Sequence, residues 1–177
     1  EEVESSYGYP GNYRRGTRHI GNQVGALCEY FPGLGTANEE VASGELPEGA
    51  ERWFAIPRWE KIAPTYGEAV EKVFAMIASK RQFYNWCEGQ LGPNYLRQHE
   101  RTGMLQVLAA QQSDHDILIV PAQFGLRHRG RSVRRARETF APNEFGLGAF
   151  AVGCMLLTHP ERLASYDDFC IDCAGDE

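Results

Sequence analysis

The chain has 177 residues, 42% of them hydrophobic and 11% aromatic, enough to bury about two-thirds of the surface exposed on unfolding and so to build one self-sufficient core. Its formal charge is −6, a field that repels polyanions unless basic residues are sharply segregated. The longest apolar run, residues 145–157, would reach only about 20 Å as a helix against a ~30 Å hydrocarbon core, so no membrane contact is expected.

The first fifty residues hold 9 of the 19 glycines and show no sustained helical or strand period. They are expected to form an irregular, loop-rich arm over residues 1–50, held down by Tyr7, Tyr9, Tyr13, Tyr30 and Phe31, with the core domain spanning 51–177. The core opens at Arg52-Trp-Phe-Ala-Ile56, an aromatic run stopped by Pro57 and read as a strand. Thr65 and Glu68 have capping-box spacing, and Ala69, Val70, Val73, Phe74 and Ile77 follow on one face, which predicts a helix over 66–80. A second helix is expected over 93–111, with Pro93 at its first position and Leu105, Leu108 and Ala109 inward.

At Asp116-Ile-Leu-Ile-Val-Pro121 the period changes, and four consecutive aliphatics predict a buried strand at 117–120 or slightly beyond. A helix over 133–140 should follow, and then a buried helix beginning near Asn143, although Gly146, Gly148 and Gly153 dilute its propensity. The alternation in Tyr166-Asp-Asp-Phe-Cys-Ile-Asp-Cys173 reads as a last strand. Strands interleaved with helices predict an α/β or α+β fold, a single layered domain with a short mixed sheet packed by helices.

Residues 127–138 concentrate six of the chain's fifteen arginines against one glutamate. That stretch is net +5, which leaves −11 for the rest of a −6 chain. It follows the expected strand through a loop with Gly125 and Gly130 and enters a helix at Ser132. Free N–H groups at a helix start attract anions, and glycine admits an anion close to the backbone. Arg127, Arg129, Gly130, Arg131, Ser132 and Arg135 are therefore the candidate anion- or phosphate-binding residues, with Val133, Ala136 and Phe140 on the opposite, packing side of the helix.

Two alternatives use the same arginines. They can meet an acidic protein partner or nucleic acid, with Lys80-Arg-Gln-Phe-Tyr-Asn-Trp86 supplying further basic and aromatic character, although the acidic remainder of the chain disfavours a polyanion. They can also answer the chain's own carboxylates, since residues 161–177 carry six acids against Arg162.

Arg127-His-Arg-Gly-Arg-Ser132 resembles the Gln/Arg-x-x-Gly-x-Gly/Ala loop of GNAT-type N-acyltransferases, with Ser132 in place of the small final residue. The resemblance covers about sixty residues. It implies that Arg127, Gly130 and Ser132 hold a coenzyme A pyrophosphate and that Tyr166 is the general acid beside the leaving thiolate. His128, set among the arginines, is a further candidate catalytic base.

Cys170-Ile-Asp-Cys173 has the spacing of half a zinc site and is the alternative metal candidate. The five cysteines are an odd, scattered set, which fits a reducing, cytoplasmic compartment. Asp114-His-Asp116, His99 and His159 read as polar turn or surface residues. There is no nucleophile elbow, phosphate-binding Walker loop, dinucleotide-binding glycine triplet or His-Glu-x-x-His, so a standard hydrolase or NTPase is not expected.

Overall fold

Two β-strands, β1 (Arg52–Pro57) and β2 (Ile117–Ala122), pair antiparallel with Ala55 opposite Ile119. Around them run α1 (Ile20–Tyr30), α2 (Tyr66–Lys80), α3 (Gly103–Gln111), α4 (Val133–Thr139) and α5 (Ala149–Thr158). The computed structural model describes residues 18–163 and 171–177. Among them the fold is mixed α and β, and the sheet is two-stranded and antiparallel, which corrects the expected mixed sheet.

A two-stranded sheet has two bare edges, and each buried backbone group there needs a partner. The Thr36 carbonyl accepts from the Ile117 N–H at 3.2 Å at the start of β2, and two buried glutamines serve the middle of each edge. Gln23 of α1 accepts from the Ala55 N–H at 3.1 Å and donates to the Trp53 carbonyl at 3.2 Å. On the other side, Gln112 accepts from the Ile119 N–H at 2.9 Å and donates to the Ile119 carbonyl at 3.1 Å. Ala55 and Ile119 face each other in the register, and both turn their amides outward to these side chains.

The core lies between the sheet and α1, α2 and α5. α5 is almost wholly enclosed, burying Phe150, Ala151, Cys154, Met155 and Leu157. Its Gly153 faces Val73 of α2 so closely that a Cβ would stand 2.5 Å from Val73 Cγ1. Side chains of ordinary size would force the two helices apart.

α1 corrects the expectation of an irregular arm: Ile20 and Leu27 are buried, and Val24 packs beside them. α2 has its expected bounds, with the Thr65 hydroxyl accepting from the Glu68 N–H at 3.3 Å. The second expected helix is shorter than 93–111. Residues 97–99 pair instead with the C-terminal segment: the Arg97 and Glu177 backbones exchange hydrogen bonds at 2.8 Å, and the His99 N–H donates to the Gly175 carbonyl at 2.8 Å.

The same segment sets the start of α5. The Asp176 carboxylate accepts from the Ala149 N–H at 2.6 Å and from the Tyr66 hydroxyl at 2.8 Å. Burial nonetheless holds the Asp176 carboxyl above its usual range. It thus caps the helix from a distance, and the chain from Asn143 to Gly148 stays extended or turned instead of helical. Residues 171–173 form no strand; the rest of the expected C-terminal strand lies outside the described residues. No helix among the described residues is long and apolar enough to cross a membrane.

Candidate functional site

β2 delivers the chain into a loop whose shape depends on two glycines. Gly125 and Gly130 adopt φ +82° and +78°, left-handed values that cost other residues free energy. They bracket a single 3-10 turn, Leu126–His128, and α4 begins three residues after Gly130. Ser132 caps it as expected, its hydroxyl accepting from the Arg135 N–H at 3.3 Å. With only seven residues, α4 has little dipole to offer, and that capping bond already engages one of its first amides.

The arginines separate by what they touch. Arg127 Nε lies 3.1 Å from Glu144 Oε1. Arg134 and Arg135 both reach Glu138, at 3.2 and 3.4 Å, and hold its carboxyl below the usual range. Arg137 donates to the backbone carbonyls of Ala174 at 2.9 Å and Asp176 at 2.5 Å, tying α4 to the C-terminal segment. These four arginines are therefore engaged within the fold, and Arg129 and Arg131 have interactions there as well.

Arg129 and Arg131, with Gly130 between them, border a cleft of about 470 Å³. Arg131 Nη1 lies 2.9 Å from His128 Nδ1 and 3.3 Å from Thr139 Oγ1. Because a guanidinium only donates, Nδ1 accepts and the ring proton sits on Nε2. That nitrogen is 3.4 Å from Glu144 Oε2 but outside hydrogen-bonding geometry. His128, the candidate base, thus has one nitrogen committed to Arg131 and the other turned toward a carboxylate, an arrangement that orients Arg131 at the cleft edge. Arg127, Ser132 and Arg135 do not line the cleft.

The walls are largely apolar. Met104 and Leu108 come from α3, Val133, Ala136 and Phe140 from the packing face of α4, and Val152 from α5. At another part of the wall Arg162 is 2% exposed, bonded through Nη2 to Glu51 Oε1 and with its guanidinium carbon 5.0 Å from the Phe124 ring centre. The charged lining residues comprise Arg129, Arg131 and Arg162 against Glu48, Glu144 and Asp172, so their formal charges cancel. Arg162, Glu51 and Glu144 were not among the residues singled out from sequence; the Arg162–Glu51 contact joins positions 111 residues apart, and no local pattern signals it.

Tyr166 and Cys170 lie outside the described residues. Burial pushes the Cys173 thiol up to about 12, with Asp176 and Asp172 adding to the effect. No group of three His, Cys, Asp or Glu side chains among the described residues is placed to hold a metal ion. His115 pairs with Thr36 at 3.1 Å, while Asp116 accepts from the Gly35 N–H at 2.9 Å and from Lys61, so this polar run anchors loops. His159 starts a turn as expected, its carbonyl accepting from the Arg162 N–H at 3.0 Å, but its side chain is buried, 1% exposed.

No protein-family model, curated protein or solved structure matches the chain.

Proposed function

We propose that the protein binds a small ligand bearing an anionic group in the cleft between α3 and α4, with Arg129, Gly130 and Arg131 meeting the charge. The observation that carries this reading is the concavity beside Gly130: the arginine loop edges a cavity of about 470 Å³, within the ~300–1,000 Å³ typical of small-molecule sites. An acidic protein partner or a nucleic acid would call for an exposed arginine face. Arg134 and Arg135 of α4 instead share Glu138, which reduces that face to a single net positive charge. Coenzyme A-dependent acyl transfer fits this cleft less well, because Arg127 and Ser132, two of the three residues it would use for the pyrophosphate, do not line it.

A thermal-shift screen tests it, using wild type and Arg129→Ala/Arg131→Ala against inorganic phosphate, acetyl-CoA, ATP, octanoate, and single- and double-stranded nucleic acid. A cleft ligand at 100-fold its dissociation constant adds about 2.7 kcal/mol of stability. The expected result is a shift with a small anion that the double variant loses, and none with nucleic acid. A shift unchanged in the variant, or confined to nucleic acid, contradicts the proposal.

A further inference from the structure

We infer that the ligand is an amphipathic monoanion: an alkyl or aryl chain ending in one carboxylate, its head at the 129–131 loop and its body between α3 and α4. This rests on reading the cleft as a ligand site, and it narrows the ligand class by charge, surface and size.

Charge decides against a polyphosphate. The three arginines of the lining are equalled in number by Glu48, Glu144 and Asp172, and the partners behind the wall, Arg127 on Glu144 and Glu51 on Arg162, add one charge of each sign, so the cleft as a whole is neutral. A group with several negative charges would face the half-buried Glu144 together with the exposed Glu48 and Asp172, and would leave the cleft net negative. A single carboxylate at Arg129 and Arg131 gains planar guanidinium donors without filling the cleft with unmatched charge. Gly130 stands between them with no Cβ, so the head group can approach the backbone.

α3 is an apolar helix without an enclosed face. Its sequence is Gly-Met-Leu-Gln-Val-Leu-Ala-Ala-Gln, yet none of its residues is buried, and Met104 is 43% exposed. Met104 and Leu108 face the cleft from one side; Val133 and Phe140 face it from the other. An apolar helix left half-open beside an apolar wall is the arrangement that a hydrocarbon body completes. Size agrees: about 470 Å³ takes a medium chain, whereas the adenosine and phosphates of a coenzyme would remain outside.

Calorimetric titration with hexanoate, octanoate and decanoate below their micellar concentrations, beside decanol, decyltrimethylammonium, phosphate and ATP, tests the inference. The dissociation constant should fall about fourfold per added methylene until the cleft is full, the ~0.8 kcal/mol of a buried CH₂ converted at ~1.4 kcal/mol per tenfold. Arg129→Glu, at an exposed position, should weaken decanoate at least tenfold and leave decanol unchanged, while Val133→Trp should weaken both. Equal binding of decanoate and the cationic analogue, or no dependence on chain length, overturns the inference. Binding of phosphate or ATP without decanoate overturns it too but leaves the cleft as a ligand site. If none of the panel binds, that broader reading falls as well.

Discussion

Arg162 is the residue whose removal should be felt most. Its guanidinium is enclosed against Phe124 and bonded to Glu51, whose second carboxylate oxygen has no hydrogen-bond partner. Breaking a buried pair leaves the other charge uncompensated, which costs about 3–5 kcal/mol. Arg162→Met is therefore expected to lower unfolding stability by about that amount in urea titrations, and Glu51→Gln in the same chain should recover part of the loss. An additive double variant would contradict the pairing. His159 gives a second test at this scale. Phe54 and Phe124 pack against its ring, and its Nε2 has no hydrogen-bond partner; burial is the largest of the influences that lower its basicity. The unfolded chain then takes up a proton before the folded one does. The stability His159 contributes is fully present above the ordinary histidine value of about 6.5 and is lost as pH falls toward its lowered folded value. Unfolding stability measured from pH 8 to pH 5 should decline in wild type, and His159→Phe should flatten the decline. Of these residues sequence marked only the histidine, as the start of a turn, and its burial by distant phenylalanines leaves no trace in the residues beside it.

Elements were legible where their causes are local. α2 was readable to its last residue because Thr65, Glu68 and the apolar stripe from Ala69 to Ile77 are all within one segment. α1 was missed because Gly21, Asn22 and Gly25 dilute a period carried only by Ile20, Val24 and Leu27, and because its central contact is a buried glutamine. α3 and α5 were overextended for a different reason. Residues 97–99 and Asn143 to Gly148 are held by the C-terminal backbone and by Asp176, and tertiary hydrogen bonds override propensity. Both strands were found, but not how so small a sheet satisfies its edges. Gln112→Met keeps the side chain's length while stripping the Ile119 N–H and carbonyl of their partners, and each orphaned group costs about 1–3 kcal/mol. A loss well under 1 kcal/mol in chemical denaturation would mean that the glutamine is not what completes the sheet edge.

For the whole molecule, half of the candidate site was visible in the sequence. The loop of arginines and glycines lies in one short stretch, and its two positive-φ glycines are where a strand-to-helix connection needs them. The cleft is another matter, since its remaining walls come from residues 47–50, Met104 and Leu108, and Arg162 with the C-terminal segment. Only the fold brings these together around the loop. The same assembly explains why a stretch of six arginines is less of a cationic surface than its composition suggests: Glu138, Glu144 and the C-terminal carbonyls answer most of it. What is left is a neutral, mostly apolar cavity with two arginines at one edge. A crystal structure of the protein grown with saturating decanoate tests this account most directly. It predicts the carboxylate within hydrogen-bonding distance of Arg129 or Arg131 and the chain between Met104, Leu108 and Val133; an empty cleft, or a ligand bound elsewhere on the molecule, would contradict it.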